Sequence, residues 1–147
     1  MTRSMLSRRQ RRGSALVEFS ISALLLVMVI LATVEIDRMF LVYTAIANST
    51  RAGCRYAIVH GSSRFGSGVS GPSGPGNTTQ IESVIKNFAS TGLLDVNRLV
   101  ITITYSPNND PGSTVAVKVT YPYDPFVGWF PQLAANLGST TRGVVTY

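Results

Sequence analysis

Cysteine is almost missing from this chain. Cys54 is the only one, so no disulfide can form within it. A free cysteine usually behaves as a small apolar packing residue; the other reading of Cys54 is a cross-link between subunits. Histidine is as scarce: His60 stands alone beside a Gly/Ser-rich stretch. One histidine and one cysteine carry neither a metal cluster nor a nucleophilic triad. Acid is short as well, with seven Asp and Glu against 13 Lys and Arg. No catalytic residue, cofactor-binding residue or metal ligand can be nominated from these counts, and a membrane-tethered enzyme is the weakest functional reading. Proline is absent from Gly13 to Val59, so nothing in that stretch forces a helix to break.

The excess of basic charge suggests a nucleic-acid binder until its placement is considered. Arg3, Arg8, Arg9, Arg11 and Arg12 all precede Gly13, and no acid does. Without that leader, eight basic residues face seven acidic ones, scattered along the chain. The basicity is a flank, not a nucleic-acid surface. What it flanks is an apolar run: from Phe19 to Val34 no residue is charged. Those 16 residues span about 24 Å as a helix, and 21 residues from Ser14 span about 31 Å. A bilayer core is roughly 30 Å thick. Arginines before the run and an apolar span after it predict a single-pass helix with its N-terminus in the cytoplasm. The run is too long for a secretory signal's apolar region, and no small-x-small cleavage site follows it closely.

Residues 1–12 read as an unstructured leader. The helix is predicted from about Ser14 to Val59, its lower half in lipid and its upper half against a small extracytoplasmic domain. Glu35, Asp37 and Arg38 mark the far interface. Beyond them Met39, Val42, Ile46, Gly53 and Ala57 share one face, with Phe40, Tyr43 and Ala47 beside it. Small residues such as Ala52 and Gly53 permit close packing of another element, and Gly61 is expected to cap the helix end. Arg51 and Arg55 lie four apart. They bracket a solvated face or meet acidic lipid or a partner.

Residues 61–79 hold six Gly, five Ser and two Pro, the composition of a flexible linker or exposed loop. They lack the Gly-Lys-Ser/Thr ending of a phosphate-binding loop. Thr79 to Glu82 fits a capping box, opening a helix from Gln80 to Ser90 with Ile81, Val84, Ile85 and Phe88 inward and Gly92 closing it. Leu99 to Tyr105 and Thr114 to Tyr121 alternate with period two, and the turn formers between them predict an antiparallel hairpin. The aromatic stretch from Tyr121 to Pro131 suits either the membrane surface or a loop packed on the domain. Gln132 to Leu137 reads as a helical turn, and Ser139 to Tyr147 as a third strand. The fold class is α+β: a long N-terminal transmembrane helix continuing into a small domain of one short helix and a two- to three-stranded antiparallel sheet. The expected divisions are residues 1–13, 14–60, 61–79 and 80–147.

Glu18 is the oddity. A carboxylate within a membrane-length helix must be paired or take up a proton. Cleavage after Gly13 creates a cation at nearly its depth: the amine of Ser14, four residues away and about 6 Å along the axis. With a small axial stagger between neighbouring helices, one subunit's amine meets the next one's carboxylate.

A basic leader, Gly13, Glu18 five positions later and an apolar helix together resemble the type IV prepilin class. The longer string Arg-Arg-Gly13-Ser-Ala-Leu-Val-Glu18-Phe19, then Val34-Glu35-Ile-Asp37-Arg38-Met-Phe40, then Ala47-Asn-Ser-Thr-Arg51-Ala-Gly53-Cys-Arg55-Tyr56-Ala57, resembles the TadE-like pseudopilins of tight-adherence (Flp) pili. Two differences stand out: family members often have a Pro early in the apolar run, and Tyr where this chain has Phe19. The resemblance implies a minor pilin or pseudopilin of the inner membrane, not an enzyme. It implies a prepilin peptidase cutting between Gly13 and Ser14, inter-subunit pairing at Glu18, and helix packing by Phe19, Ala52 and Gly53. The implied partners are that peptidase, other pilins, the inner-membrane platform and ATPase of the Tad secretion system, and lipid, but no nucleic acid and no cofactor. The alternative is an uncleaved single-pass anchor displaying a small binding domain.

Overall fold

The computed structural model describes residues 3–68, 71–92, 94–126 and 134–146, with side chains from Gly13 onward. Helix α1 runs from Arg3 to Val59, helix α2 from Thr79 to Thr91, and strands β1, β2 and β3 from Val100 to Ser106, Thr114 to Tyr123 and Ala135 to Val144. The chain divides into two compact units, one ending at Asp37 and one beginning at Arg38.

The first unit is helix alone. It starts eleven residues before the expected Ser14, so residues 3–12 are helical and not an unstructured leader. The leader's Arg, Met, Leu and Gln residues are good helix formers, and a lone Gly13 costs only about 1 kcal/mol relative to Ala. Nothing stops the helix from propagating upstream. Large apolar side chains point outward all round: Leu16, Phe19, Leu25 and Val29 are between 57 and 71% exposed. Ser20 and Thr33 donate their hydroxyls to the carbonyls of Leu16 and Val29, at 2.8 and 2.9 Å. That back-bonding satisfies them without outside partners, as a lipid environment requires. Glu35 differs from its neighbours: the expected interface marker is 2% exposed.

The second unit is built on the upper part of α1. Ile46, Cys54 and Ala57 of α1, Ile81, Ile85 and Ala89 of α2, and Val115, Val117 and Val119 of β2 form one buried cluster. Burying each Ile or Val side chain is worth about 1.5–3 kcal/mol. Ser49 and Thr50 lie on the same buried face and both donate to the carbonyl of Ile46, at 2.9 and 2.7 Å. Phe40 and Tyr43, expected beside this face, are instead 62 and 45% exposed. They fall at its margin, and the small residues carry the packing.

Three glycines show why the contacts must be small. A Cβ on Gly53 would stand 2.4 Å from Cγ1 of Ile85 in α2. One on Gly92 would meet the Cβ of Ala45 at 2.5 Å, and one on Gly143 would meet Cδ1 of Ile58 at 2.3 Å. Gly92 does close α2, but at φ −84°: close approach to α1 selects it, not a left-handed turn. Helix α2 begins one residue before the expected start. Its N-cap is Thr78 rather than Thr79, and the Thr78 hydroxyl donates to the Glu82 carboxylate at 2.8 Å in place of a capping box. Adjacent threonines offer the same chemistry, and the helix takes the earlier one.

The sheet has the order β1-β2-β3, antiparallel throughout. Ile101, Ile103 and Tyr105 of β1 face Val119, Val117 and Val115 of β2, which is the alternation the sequence predicts. β2 continues two residues past Tyr121, carrying Tyr123 into the buried set. β3 begins at Ala135, so residues 135–137 are strand and not helical turn. Residues 127–133, which hold the start of that turn and the second part of the aromatic stretch, lie outside the described residues, as does Tyr147 at the end of the expected third strand. Tyr121 and Tyr123 are packed on the domain.

Residues 61–79 are not a plain linker. The backbone N–H and the hydroxyl of buried Ser73 donate to the carbonyl of His60, at 2.6 and 3.0 Å. Asn109 of the hairpin turn donates to the Ser73 carbonyl at 2.9 Å, and Ser62 N–H donates to the Asn109 carbonyl at 2.9 Å. These bonds anchor the loop at the end of α1, where helix carbonyls need outside donors. The Ile58 carbonyl accepts from the N–H of Thr146 at 2.9 Å. A ring nitrogen of His60 pairs with the Tyr56 carbonyl at 2.8 Å, its ring stacked on Tyr56. Distant segments close the helix where Gly61 was expected to do so alone.

Candidate functional site: the N-terminal helix and the groove above it

Gly13, Ser14, Glu18 and Phe19 lie on one uninterrupted helix, all exposed. No atom lies within 4 Å of where a Cβ on Gly13 would stand. Gly13 therefore has no packing duty among the described residues. Among the described residues no cation lies at ion-pair distance from Glu18. Its carboxylate and the 71%-exposed ring of Phe19 are presented outward at the start of the apolar run.

The other nominated residues separate by role. Gly53 is buried beneath Ile81 and Ile85 of α2. Ala52, one residue away, is half-buried and lines a groove between α1 and α2 instead. That groove is open, holds about 710 Å³, and has Arg51, Arg55 and Val59 on one wall with Val84 and Phe88 on the other. Phe88 is the residue the sequence misplaced. Expected inward, it is 55% exposed, because Ile81, Ile85 and Ala89 fill the core and rotate it to the margin. Cys54 is 1% exposed, so a cross-link between subunits would require the domain to open. Among the described residues no group of His, Cys, Asp and Glu is arranged to hold a metal.

A second concavity, about 360 Å³, lies between Arg38, Arg98 and the tyrosines of β2. The guanidinium of Arg38 sits over the Tyr123 ring at 5.4 Å, and that of Arg98 over Tyr121 at 5.5 Å. Arg98 also pairs with Asp124 at 2.5 Å.

These features define a class: a membrane-length apolar helix whose continuation is the spine of a small α+β domain. The stretch Gly13–Val59 of α1 is long and apolar enough to cross a membrane, and its most apolar window has a mean hydropathy of 2.5 with none of it buried. The model of the TadE-like protein family matches residues 13–55. Over that stretch the chain is similar to TadE-like proteins; residues 56–147 lie outside the match. No curated protein and no solved structure matches the chain.

Proposed function

We propose that this chain is a minor pilin or pseudopilin of a tight-adherence (Flp) pilus or related secretion system, cut between Gly13 and Ser14 by a prepilin peptidase. The observation that carries the reading is the family match, which begins at Gly13, the residue where the basic leader ends and the apolar run is about to begin. Every charged residue before that point is an arginine, and among the next 21 residues, Ser14 to Val34, only Glu18 is charged. The helix then stays in the inner membrane with its second unit outside the cytoplasm. The new Ser14 amine supplies the cation that Glu18 lacks, and pairing across a small stagger sets register between neighbouring pilins. The chain performs no chemistry itself. It acts with the peptidase, other pilins, the inner-membrane platform and lipid in assembling or anchoring the fibre.

The test uses two variants in cells that assemble the pilus. Gly13→Ala should leave the fold intact, since the added methyl meets nothing, yet slow or block the cut. Glu18→Ala should be cut normally but recovered in assemblies at a fraction of the wild-type level. Full incorporation of Glu18→Ala removes the pairing mechanism. Normal processing of Gly13→Ala, also at bulkier substitutions, removes the cleavage site.

A further inference from the structure

The groove between α1 and α2 is not used by the pilin reading, and its composition is specific. Its α1 wall is one stripe: Arg51, Ala52, Arg55 and Val59 fall at i, i+1, i+4 and i+8 along the face that starts at Asn48. From Asn48 to Val59 the stripe is about 16 Å long, or three turns. Its α2 wall adds Val84 and Phe88, one turn apart. The floor is apolar, with Phe88 55% and Val59 37% exposed. The rim carries two exposed guanidiniums, and among the described residues no carboxylate engages either one.

A groove between two helices accepts a third helix laid on it, apolar face down. Two arginines one turn apart select carboxylates at the same spacing, because guanidinium and carboxylate pair in a planar, two-bond geometry. Acidic lipid has the same charge but the wrong position. Arg51 is 13 residues beyond Arg38, about 20 Å farther along the same helix. If the membrane ends near Arg38, as the apolar run indicates, headgroups do not reach the groove. A second copy of this chain is a poor fit. Glu82 is held by Thr78, Asp95 caps the turn at Val96–Arg98, and Asp124 pairs with Arg98.

We propose that this groove docks an amphipathic helix of a partner protein in the extracytoplasmic space. That helix is about three turns long, with apolar residues at i, i+3 or i+4 and i+7 and carboxylates one turn apart along its flank. The docking does not depend on cleavage at Gly13.

The experiment is photo-cross-linking of the full-length chain in cells, with benzoylphenylalanine replacing Phe88 in one strain and Val59 in another. The linked peptide is identified by mass spectrometry. The expected adduct is a segment of a different protein with carboxylates at i and i+4 beside apolar residues. Arg51→Glu with Arg55→Glu should reduce it at least about tenfold, since both charge-assisted bonds are lost and like charges then face each other. The double variant's melting temperature in detergent should match the parent's, because both side chains are exposed. Exchanging the partner's two carboxylates for lysine should restore the adduct. Adducts with lipid or with a second copy of this chain overturn the proposal. So does an adduct indifferent to the double charge reversal, or none from either probe position.

Discussion

One helix serves two environments, and its halves solve opposite problems. From Leu16 to Val34, α1 carries large apolar side chains on every face, and all but half-buried Leu31 are exposed within the folded chain. From Ile46 to Ala57 it carries Ser49, Thr50, Gly53, Cys54 and Ala57, all buried. The exposed apolar side chains of the lower half suit an outside apolar phase. The upper half is narrow so that α2 and the sheet come close, and it requires none. Local propensity is similar in both halves. What differs is the size of the side chains and hence what can cover them.

That contrast is easiest to break in the core. Ile85→Ala should cost the domain about 2–5 kcal/mol, read as a drop in melting temperature of the full chain in detergent. Leu25→Ala, which removes as many methyl groups from the lower half, should move the same transition hardly at all. Equal effects would mean that the lower half packs on the domain. Next in size is Gly53→Val, which forces Ile85 to move and should cost about 1–3 kcal/mol by overpacking. Gly13→Ala is its counterpart and should not lower stability. Smaller again is Ser73→Ala. It removes the hydroxyl bonded to the His60 carbonyl and near the Tyr105 hydroxyl at 3.4 Å, at about 1 kcal/mol.

The smallest effect concerns pH. Burial raises the Tyr105 phenol above its ordinary value of 10.0, with the Ser73 hydrogen bond pulling the other way. A raised acid favours the neutral form in the fold. Its contribution is therefore whole below pH 10 and is lost as pH climbs through the folded value. Alkaline melts of Tyr105→Phe should lose less stability above pH 10 than the parent does; identical slopes would contradict this burial effect.

The long helix, the short helix and the β1–β2 hairpin were legible because each announces itself in local periodicity. Ile81 and Ile85 recur at helical spacing, and Ile101, Ile103 and Tyr105 alternate. β3 was read only in part. Its inward face is Leu137, Ser139, Thr141 and Gly143, too polar to signal burial, and Gly143 is there to clear Ile58. The anchoring of the 61–79 loop was not legible. Its composition says linker or exposed loop, and the bonds of Ser73 to His60 and of Asn109 to Ser73 and Ser62 join residues far apart in sequence. Gly13 and Glu18 stand out in the sequence because they need no tertiary partner among the described residues to be noticed. The groove was half legible: Arg51 and Arg55 stood out at once, but Phe88 reads as core until Ala89 is seen to take its place.

The mass of the chain extracted from the native membrane bears on all of this most directly. The account predicts a polypeptide beginning at Ser14, lacking the five leading arginines. A chain that begins at Met1 in functioning, fibre-bearing cells would contradict it.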